Sequence, residues 1–178
     1  MSLIKNIKVS VKIDKLDYFG LKDSLKHIQC HNNFYVLKDR YTYVLFKPKI
    51  GKTISHLNIT KIVGFDYIIP AIQLAKTIFK GEILYNTVKI DNITATHYLN
   101  ETINLSELYE KYNDTFNLHY NNDVFPGLSW KSGKGTAIIF HSGNVNIVGV
   151  KSVQEIVKII DQLWTWKVEM KKIPANII

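Results

Sequence analysis

Residues 4–13 read Ile-Lys-Asn-Ile-Lys-Val-Ser-Val-Lys-Ile, and from Ile7 onward apolar and polar side chains alternate without a break. Ile7, Val9, Val11 and Ile13 fall on one face; Lys8, Ser10 and Lys12 fall on the other. A period of two is that of a strand with one face in a core and the other in water. The opening of this stretch, Ile4-Lys5-Asn6-Ile7, returns as Ile90-Asp91-Asn92-Ile93, and Lys61-Ile62-Val63-Gly64 returns as Asn146-Ile147-Val148-Gly149. The offsets, 86 (90 − 4) and 85 (146 − 61), agree to within one residue, which marks a tandem duplication.

Element patterns recur at the same spacing. A strand counterpart to Ile7–Ile13 is expected over about Val88 to His97. Leu21, Leu25 and Ile28 then follow at helical spacing in the first half, and Leu105, Leu108 and Tyr112 in the second. Hairpin-like runs come next, Phe34–Leu37 with Tyr41–Lys47, and Phe125–Trp130 with Thr136–His141. A last strand ends at Gly64 or Gly149. Each half is expected to close with its longest helix, carrying Ile68, Ile69, Ile72, Ala75 and Phe79 in one and Val153, Ile156, Val157, Ile160 and Trp164 in the other. Pro70 lies near the start of the first of these helices, where proline is tolerated. Ser152-Val153-Gln154-Glu155 is a capping box at the start of the second.

The expected fold class is α+β, in two pseudo-symmetric repeats at 1–82 and 83–170 with a tail at 171–178. Their strands can merge into one antiparallel sheet with helices on a single face. The other face carries Asn6, Lys8, Ser10 and Lys12 on one strand and Asn92, Thr94 and Thr96 on its counterpart. It is polar and partly basic.

Composition is compatible with that surface meeting an acidic partner. The chain has 178 residues, 46% hydrophobic and 21% charged, with a formal net charge of +8 and a pI near 9.4. Those values fit a folded domain that meets nucleic acid or an anionic membrane face. The single cysteine, Cys30, excludes an internal disulfide and fits a reducing compartment. No signal peptide and no bilayer-spanning apolar run is read in the sequence, so secretion is not expected.

The most specific stretch is Tyr120-Asn-Asn-Asp-Val-Phe-Pro-Gly-Leu-Ser-Trp-Lys131, followed by Ile138-Ile-Phe-His-Ser-Gly143 and Ile147-Val-Gly-Val-Lys151. It resembles the second repeat of the TATA-box-binding proteins. The resemblance is strong from about Tyr85 to Trp164 and looser in the first half, where Asn6 and the Ile-Val-Gly turn carry it. It implies a saddle, its curved antiparallel sheet backed by helices on the convex face, that binds double-stranded DNA in the minor groove and bends it. By resemblance, Phe125 and Phe140 are wedges between base steps and Phe34 and Phe46 the matching first pair, with Tyr35 competing for that role. Arg40 and Lys131, each six residues beyond the first Phe of its pair, are the expected phosphate contacts. Val44 and Ile138 would press on sugar edges, and Asn6 and Asn92 match the family's paired asparagines over the central base step.

Six positions depart from that pattern. Lys8, Lys61, Thr94 and Asn146 stand where the family has valines that favour A·T edges, and Val63 and Val148 stand where it has threonines. DNA binding with more phosphate-driven, salt-sensitive affinity and less TATA selectivity is the expectation. The resemblance also implies a TFIIB-like factor and RNA polymerase as partners, with Asp123 and Val124 as the docking residues and Asn121 where a Glu is expected. Base composition and the lack of a long N-terminal extension point to an AT-rich source such as a large DNA virus. The implied location is the nucleus, or a cytoplasmic viral factory or virion.

Plainer readings stand beside these. The four phenylalanines are either wedges or core aromatics, Asn6 and Asn92 either base contacts or strand-edge asparagines, and the lysines either phosphate contacts or a solvated face. His27, Cys30 and His31 lack the fourth ligand of a structural zinc site, and Gly133-Lys134-Gly135-Thr136 reads as a turn and not a phosphate loop. No nucleophile–base pair, carboxylate dyad or ligand cluster stands at a mechanistic spacing; no enzyme activity, metal or cofactor is expected. A protein–protein adaptor in a transcription complex is the alternative function. A substrate-binding module of a nucleic-acid enzyme is a third, against which two complete repeats argue.

Overall fold

The structure is a computed structural model that describes residues 3–18, 28–31, 34–38, 40–49, 54–76 and 78–171. The chain divides into two compact units, Ile4–Ile93 and the residues from Thr94 onward.

The first unit contains β1 (Leu3–Tyr18), β2 (Ile28–Cys30), β3 (Phe34–Lys38), β4 (Thr42–Lys49) and β5 (Ile54–Ile62). A 3-10 turn (Phe65–Tyr67) then leads into α1 (Ile68–Ala75), and β6 (Phe79–Tyr98) runs from this unit into the next. The second unit continues with α2 (Leu105–Tyr112), β7 (Leu118–Asn121), β8 (Phe125–Lys131), β9 (Thr136–Phe140), β10 (Asn144–Val150) and α3 (Val153–Lys171). Hydrogen bonding orders the strands β2-β3-β4-β5-β1 in the first unit and β7-β8-β9-β10-β6 in the second. In both, a meander of antiparallel hairpins returns its last strand to lie beside the first. The duplication read from two short motifs is thus a duplication of topology, and the α+β class with antiparallel strands holds.

Strand alternation decides what is buried. Ile7, Val9, Val11 and Ile13 of β1 are buried, and so are Leu37, Leu45, Leu57 and Ile59 on its neighbours. Each such side chain contributes about 1.5–3 kcal/mol by leaving water. In the second unit Ala95, Leu128, Ala137, Ile139, Val145 and Ile147 play this part. Trp166 of α3 anchors that core: its ring lies 4.7 Å from Trp130, 4.8 Å from Phe116 and 5.2 Å from Tyr112.

The helices depart from expectation in extent and in rotation. α1 has 8 residues against 19 in α3, and Phe79 opens β6 instead of closing a helix. Ile68, Ala71, Ile72 and Ala75 are buried while Ile69 is exposed. Likewise α3 buries Ile156, Ile159, Leu163 and Trp166 and leaves Val153 and Val157 exposed. Both helices carry apolar residues on more than one side, so a 3.6-residue period fits two stripes and packing chooses between them. The Ser152 hydroxyl accepts the Glu155 N–H at 3.2 Å, and the Glu155 carboxylate accepts the Lys151 N–H at 2.7 Å, so the capping box forms with its return bond one residue earlier. The helix expected around Leu21 and Leu25 falls outside the described residues, and Ile28 opens strand β2. The short strands β2 and β7 have no counterpart in the sequence reading.

Candidate nucleic-acid interface

The strand face away from the core is built from the alternate residues of each strand. In the second unit it is a ladder on β8, β9 and β10. Phe140 lies opposite Gly127, Ile138 opposite Ser129 and Asn146, and Thr136 opposite Lys131 and Val148. Ile138, Asn146 and Val148 are half-buried and Lys131 is exposed.

Phe125 is 45% exposed, and its ring meets that of Phe140 edge-on at 5.9 Å. The two rings lie over Gly127. A Cβ there would come within 2.7 Å of Phe125 Cε1, 3.0 Å of Ile138 Cγ2 and 3.1 Å of Phe140 Cε1. Glycine in Phe-Pro-Gly-Leu is therefore the floor under an aromatic pair. The Ser-Gly turn after β9 has its own demand: Gly143 has φ +82, and its missing Cβ leaves room for the Glu101 carbonyl.

The turn joining β7 to β8 is held by Asn121, whose Oδ1 accepts the Asp123 N–H at 3.0 Å while its carbonyl accepts the Val124 N–H at 3.1 Å. Asp123 is exposed and Val124 is 80% exposed. Beside them Tyr109, His119 and Tyr120 border an open cleft of about 370 Å³ that reaches Phe125.

In the first unit Phe34 lies directly opposite Phe46, Val36 opposite Val44, and Lys38 opposite Thr42. The Phe34 and Phe46 rings are 6.3 Å apart, and His31 stacks on Phe34 at 4.5 Å. Phe46 is 41% exposed and Phe34 half-buried. Tyr35 is buried on the core side, which removes it as a competitor for the wedge. Val44, at 9% exposed, lies between Val36 and Thr60.

Phe34 lies opposite Phe46 as Gly127 lies opposite Phe140, so Phe34 stands at Gly127's place and not at Phe125's, and two further correspondences differ from those drawn on spacing. Lys38 opposite Thr42 repeats Lys131 opposite Thr136, so Lys38 is the counterpart of Lys131. Arg40 is exposed in the β3–β4 turn, 5.8 Å from the Tyr41 ring. The second difference comes from a β-bulge. Between Ile7↔Ile62 and Val9↔Ile59, β5 has one residue more than β1, and Lys61 has φ +63. Lys61 is the inserted residue, and Thr60, opposite Val44, is the counterpart of Asn146 opposite Ile138.

Asn6 sustains that bulge. Its Oδ1 accepts the Lys61 backbone N–H at 2.6 Å and the Thr60 hydroxyl at 3.0 Å. Because a backbone N–H is one of the donors, the amide orientation is fixed, and the Asn6 NH2 is the remaining donor pair. Lys8 is half-buried on the same face. Asn92 and Thr94 are half-buried on β6, alternating with buried Ile93 and Ala95. Val63 follows β5 and is 36% exposed. Ser10 donates to Asp91 at 3.2 Å. Thr60, Lys38 and Gly127 are residues of this strand face that sequence reasoning missed; the first two needed strand register, and Gly127 needed the positions of two rings.

Among the described residues no three His, Cys, Asp or Glu side chains gather closely enough to hold a metal ion. Residues 87–165 match the family model described as transcription factor TFIID, or TATA-binding protein. The chain is 37% identical over 78 residues to the TATA-box-binding protein of Aeropyrum pernix, covering 43% of this chain and 37% of that protein. It is 38% identical over 85 residues to that of Sulfolobus acidocaldarius, covering 46% and 42%. These matches thus span about two fifths of the length of the curated relatives. The solved Methanococcus jannaschii TBP superposes with a TM-score of 0.71 at 22% identity, over 94% of this chain and 98% of that one. Over residues 87–165 the chain is thus similar in sequence to the TATA-box-binding proteins, a family of transcription factors, and over 94% of its length it has the fold of a solved member.

Proposed function

We propose that the chain is a transcription-initiation factor that binds promoter DNA in the minor groove, bends it, and recruits a TFIIB-like factor and RNA polymerase. The observation that carries this reading is the Phe125–Phe140 pair, raised over Gly127 on the polar strand face of the half that matches the family. Apolar rings of this kind open base steps, at a cost of a few kcal/mol per step that the bent duplex returns as added contact. Lys8, Lys38 and Lys131 supply phosphate attraction around the rings. The fixed amide of Asn6 offers N–H groups, the partner type that minor-groove N3 and O2 acceptors require. Thr60, Thr94 and Asn146 are polar where apolar side chains would exclude the guanine amino group, so A·T preference is expected to be weak.

Short duplexes with fluorescent labels at both ends test this. Nanomolar binding with a shortened end-to-end distance is expected, and both are expected to be lost in the Phe125→Ala/Phe140→Ala double variant. Binding and bending unchanged in that variant would remove the wedge assignment. Comparing A·T-rich with G·C-rich duplexes checks the selectivity.

One observation favours an adaptor as the second reading. Val124 is 80% exposed at the tip of the β7–β8 turn, next to the cleft bordered by Tyr109 and Tyr120, a surface suited to a protein partner. Capture of a TFIIB-like factor by a chain that binds no duplex at low salt would favour it.

A further inference from the structure

The contact between Asn6 and Thr60 fixes what the open strand face of the first unit can offer to a base pair. Asn6 Oδ1 accepts the Lys61 backbone N–H at 2.6 Å, so the atom at that place is the carboxamide oxygen and not the NH2. The Thr60 hydroxyl lies 3.0 Å from the same oxygen. A carboxamide oxygen only accepts, so the hydroxyl proton points at it. Thr60 Oγ1 has then given its proton to Asn6 and has only lone pairs left for another partner. Beside it, the Asn6 NH2 has only hydrogens to give. The two side chains are a locked pair, one donor next to one acceptor.

The lock is set by the backbone. Lys61, the bulge residue at φ +63, supplies the N–H that orients Asn6, and Thr60 stands on the open face opposite Val44. Both Asn6 and Thr60 are half-buried. In Thr60's place the second unit has Asn146, opposite Ile138. Its carboxamide carries a donor and an acceptor together, so its chemistry is not restricted to one kind of edge.

In the minor groove an A·T pair shows acceptors alone, at adenine N3 and thymine O2, whereas a G·C pair adds the guanine amino group as a donor. An acceptor with no proton to give meets lone pairs on the first and a hydrogen on the second. The Asn6 NH2 serves a neighbouring N3 or O2 in either case. We infer that the chain selects a G·C pair where Asn6 and Thr60 meet the duplex, with Thr60 Oγ1 accepting from the guanine amino group. An A·T pair is served there only if the hydroxyl turns its proton away from Asn6 and gives up that bond. The inference rests on the DNA-binding reading proposed above and sharpens its selectivity, from a weak A·T preference to the choice of guanine at one place.

A short A·T duplex carrying one G·C pair, moved base by base, tests this by fluorescence anisotropy. At one position the G·C pair should tighten binding about tenfold over the unbroken A·T duplex. Inosine in place of that guanine removes only the amino group and should remove the gain. Diaminopurine opposite thymine adds an amino group to an A·T-like pair and should restore it. Neither base change depends on the folding of a variant. Thr60→Val should abolish the gain, and Thr60→Ser, which keeps the hydroxyl, should retain it. No tightening at any position, a gain that survives inosine, or a gain unchanged in Thr60→Val overturns the inference while leaving DNA binding intact. A chain that binds no duplex overturns both readings.

Discussion

Gly127→Ala should separate the stability of the fold from the function of its open face. The added Cβ would meet Phe125 Cε1 at 2.7 Å, Ile138 Cγ2 at 3.0 Å and Phe140 Cε1 at 3.1 Å. All three are side-chain tips, none is backbone, and Gly127 lacks the positive φ that would strain an alanine. Overpacking a closed core costs about 1–3 kcal/mol. Here Phe125 is 45% exposed and its ring can swing outward, so a cost near the lower end, about 1 kcal/mol, is expected. That corresponds to a fall in Tm of about 2–4 °C for a chain of this size. The swing itself takes the wedge out of register with Phe140. Loss of one stacking contact is worth about 1–3 kcal/mol, so affinity should drop roughly tenfold and the end-to-end shortening should largely disappear. Differential scanning fluorimetry and the end-labelled duplex assay read the two effects on one preparation. If Tm falls as expected while binding and bending stay at the native level, the rings do not act from their position over Gly127. A loss well above about 3 kcal/mol would show that the rings cannot yield.

Asn6→Ala should lower stability by about 1–2 kcal/mol, because the Lys61 N–H loses its acceptor. Asn6→Asp keeps that acceptor but has no NH2 to offer a base, so it should weaken DNA binding with a smaller change in the denaturation midpoint. Lys61→Gly relieves a left-handed residue and should raise stability by up to about 1 kcal/mol in urea melts. Lys131→Ala should reduce the slope of log K against log salt by about 1 without changing sequence preference. For His97, burial disfavours the charged ring and the Lys167 charge adds to this, which lowers its pKa from 6.5. The unfolded chain then binds the proton more readily, so stability is complete above about pH 6.5 and declines as pH falls below it. Urea midpoints between pH 7.5 and 5 should show this decline, and His97→Leu should flatten it.

Much of the fold was legible because strand alternation depends only on the order of residues. Ile7, Val9, Val11 and Ile13 are buried as their spacing requires, and two four-residue motifs at one offset were enough to locate a duplicated topology. Helix rotation was less legible. Ile156, Ile159, Leu163 and Trp166 compete with Val153, Val157 and Trp164 for the same core, and nothing local says which stripe faces it. The edge strands β2 and β7 have 3 and 4 residues, too few to show a period.

The interface illustrates a different limit. Matching Lys61-Ile-Val-Gly to Asn146-Ile-Val-Gly is sound from the isoleucine onward, since Ile62 and Ile147 are both fully buried. One residue earlier the match fails, because Lys61 is the extra residue of a bulge. A bulge made by lysine leaves no glycine in the sequence to betray it; its signature is the Asn6 amide, 55 residues away, that holds it. The shift changes the chemistry assigned to the face. The position beside Val44 is filled by Thr60, a small polar side chain, as Asn146 fills the place beside Ile138. Lys61 is exposed on the bulge, where, on the proposed DNA-binding reading, its charge would add to phosphate attraction instead of replacing an apolar base contact. The reasons for expecting weak A·T preference and strong salt dependence thus become separable: the first belongs to Thr60, Thr94 and Asn146, the second to Lys38, Lys61 and Lys131.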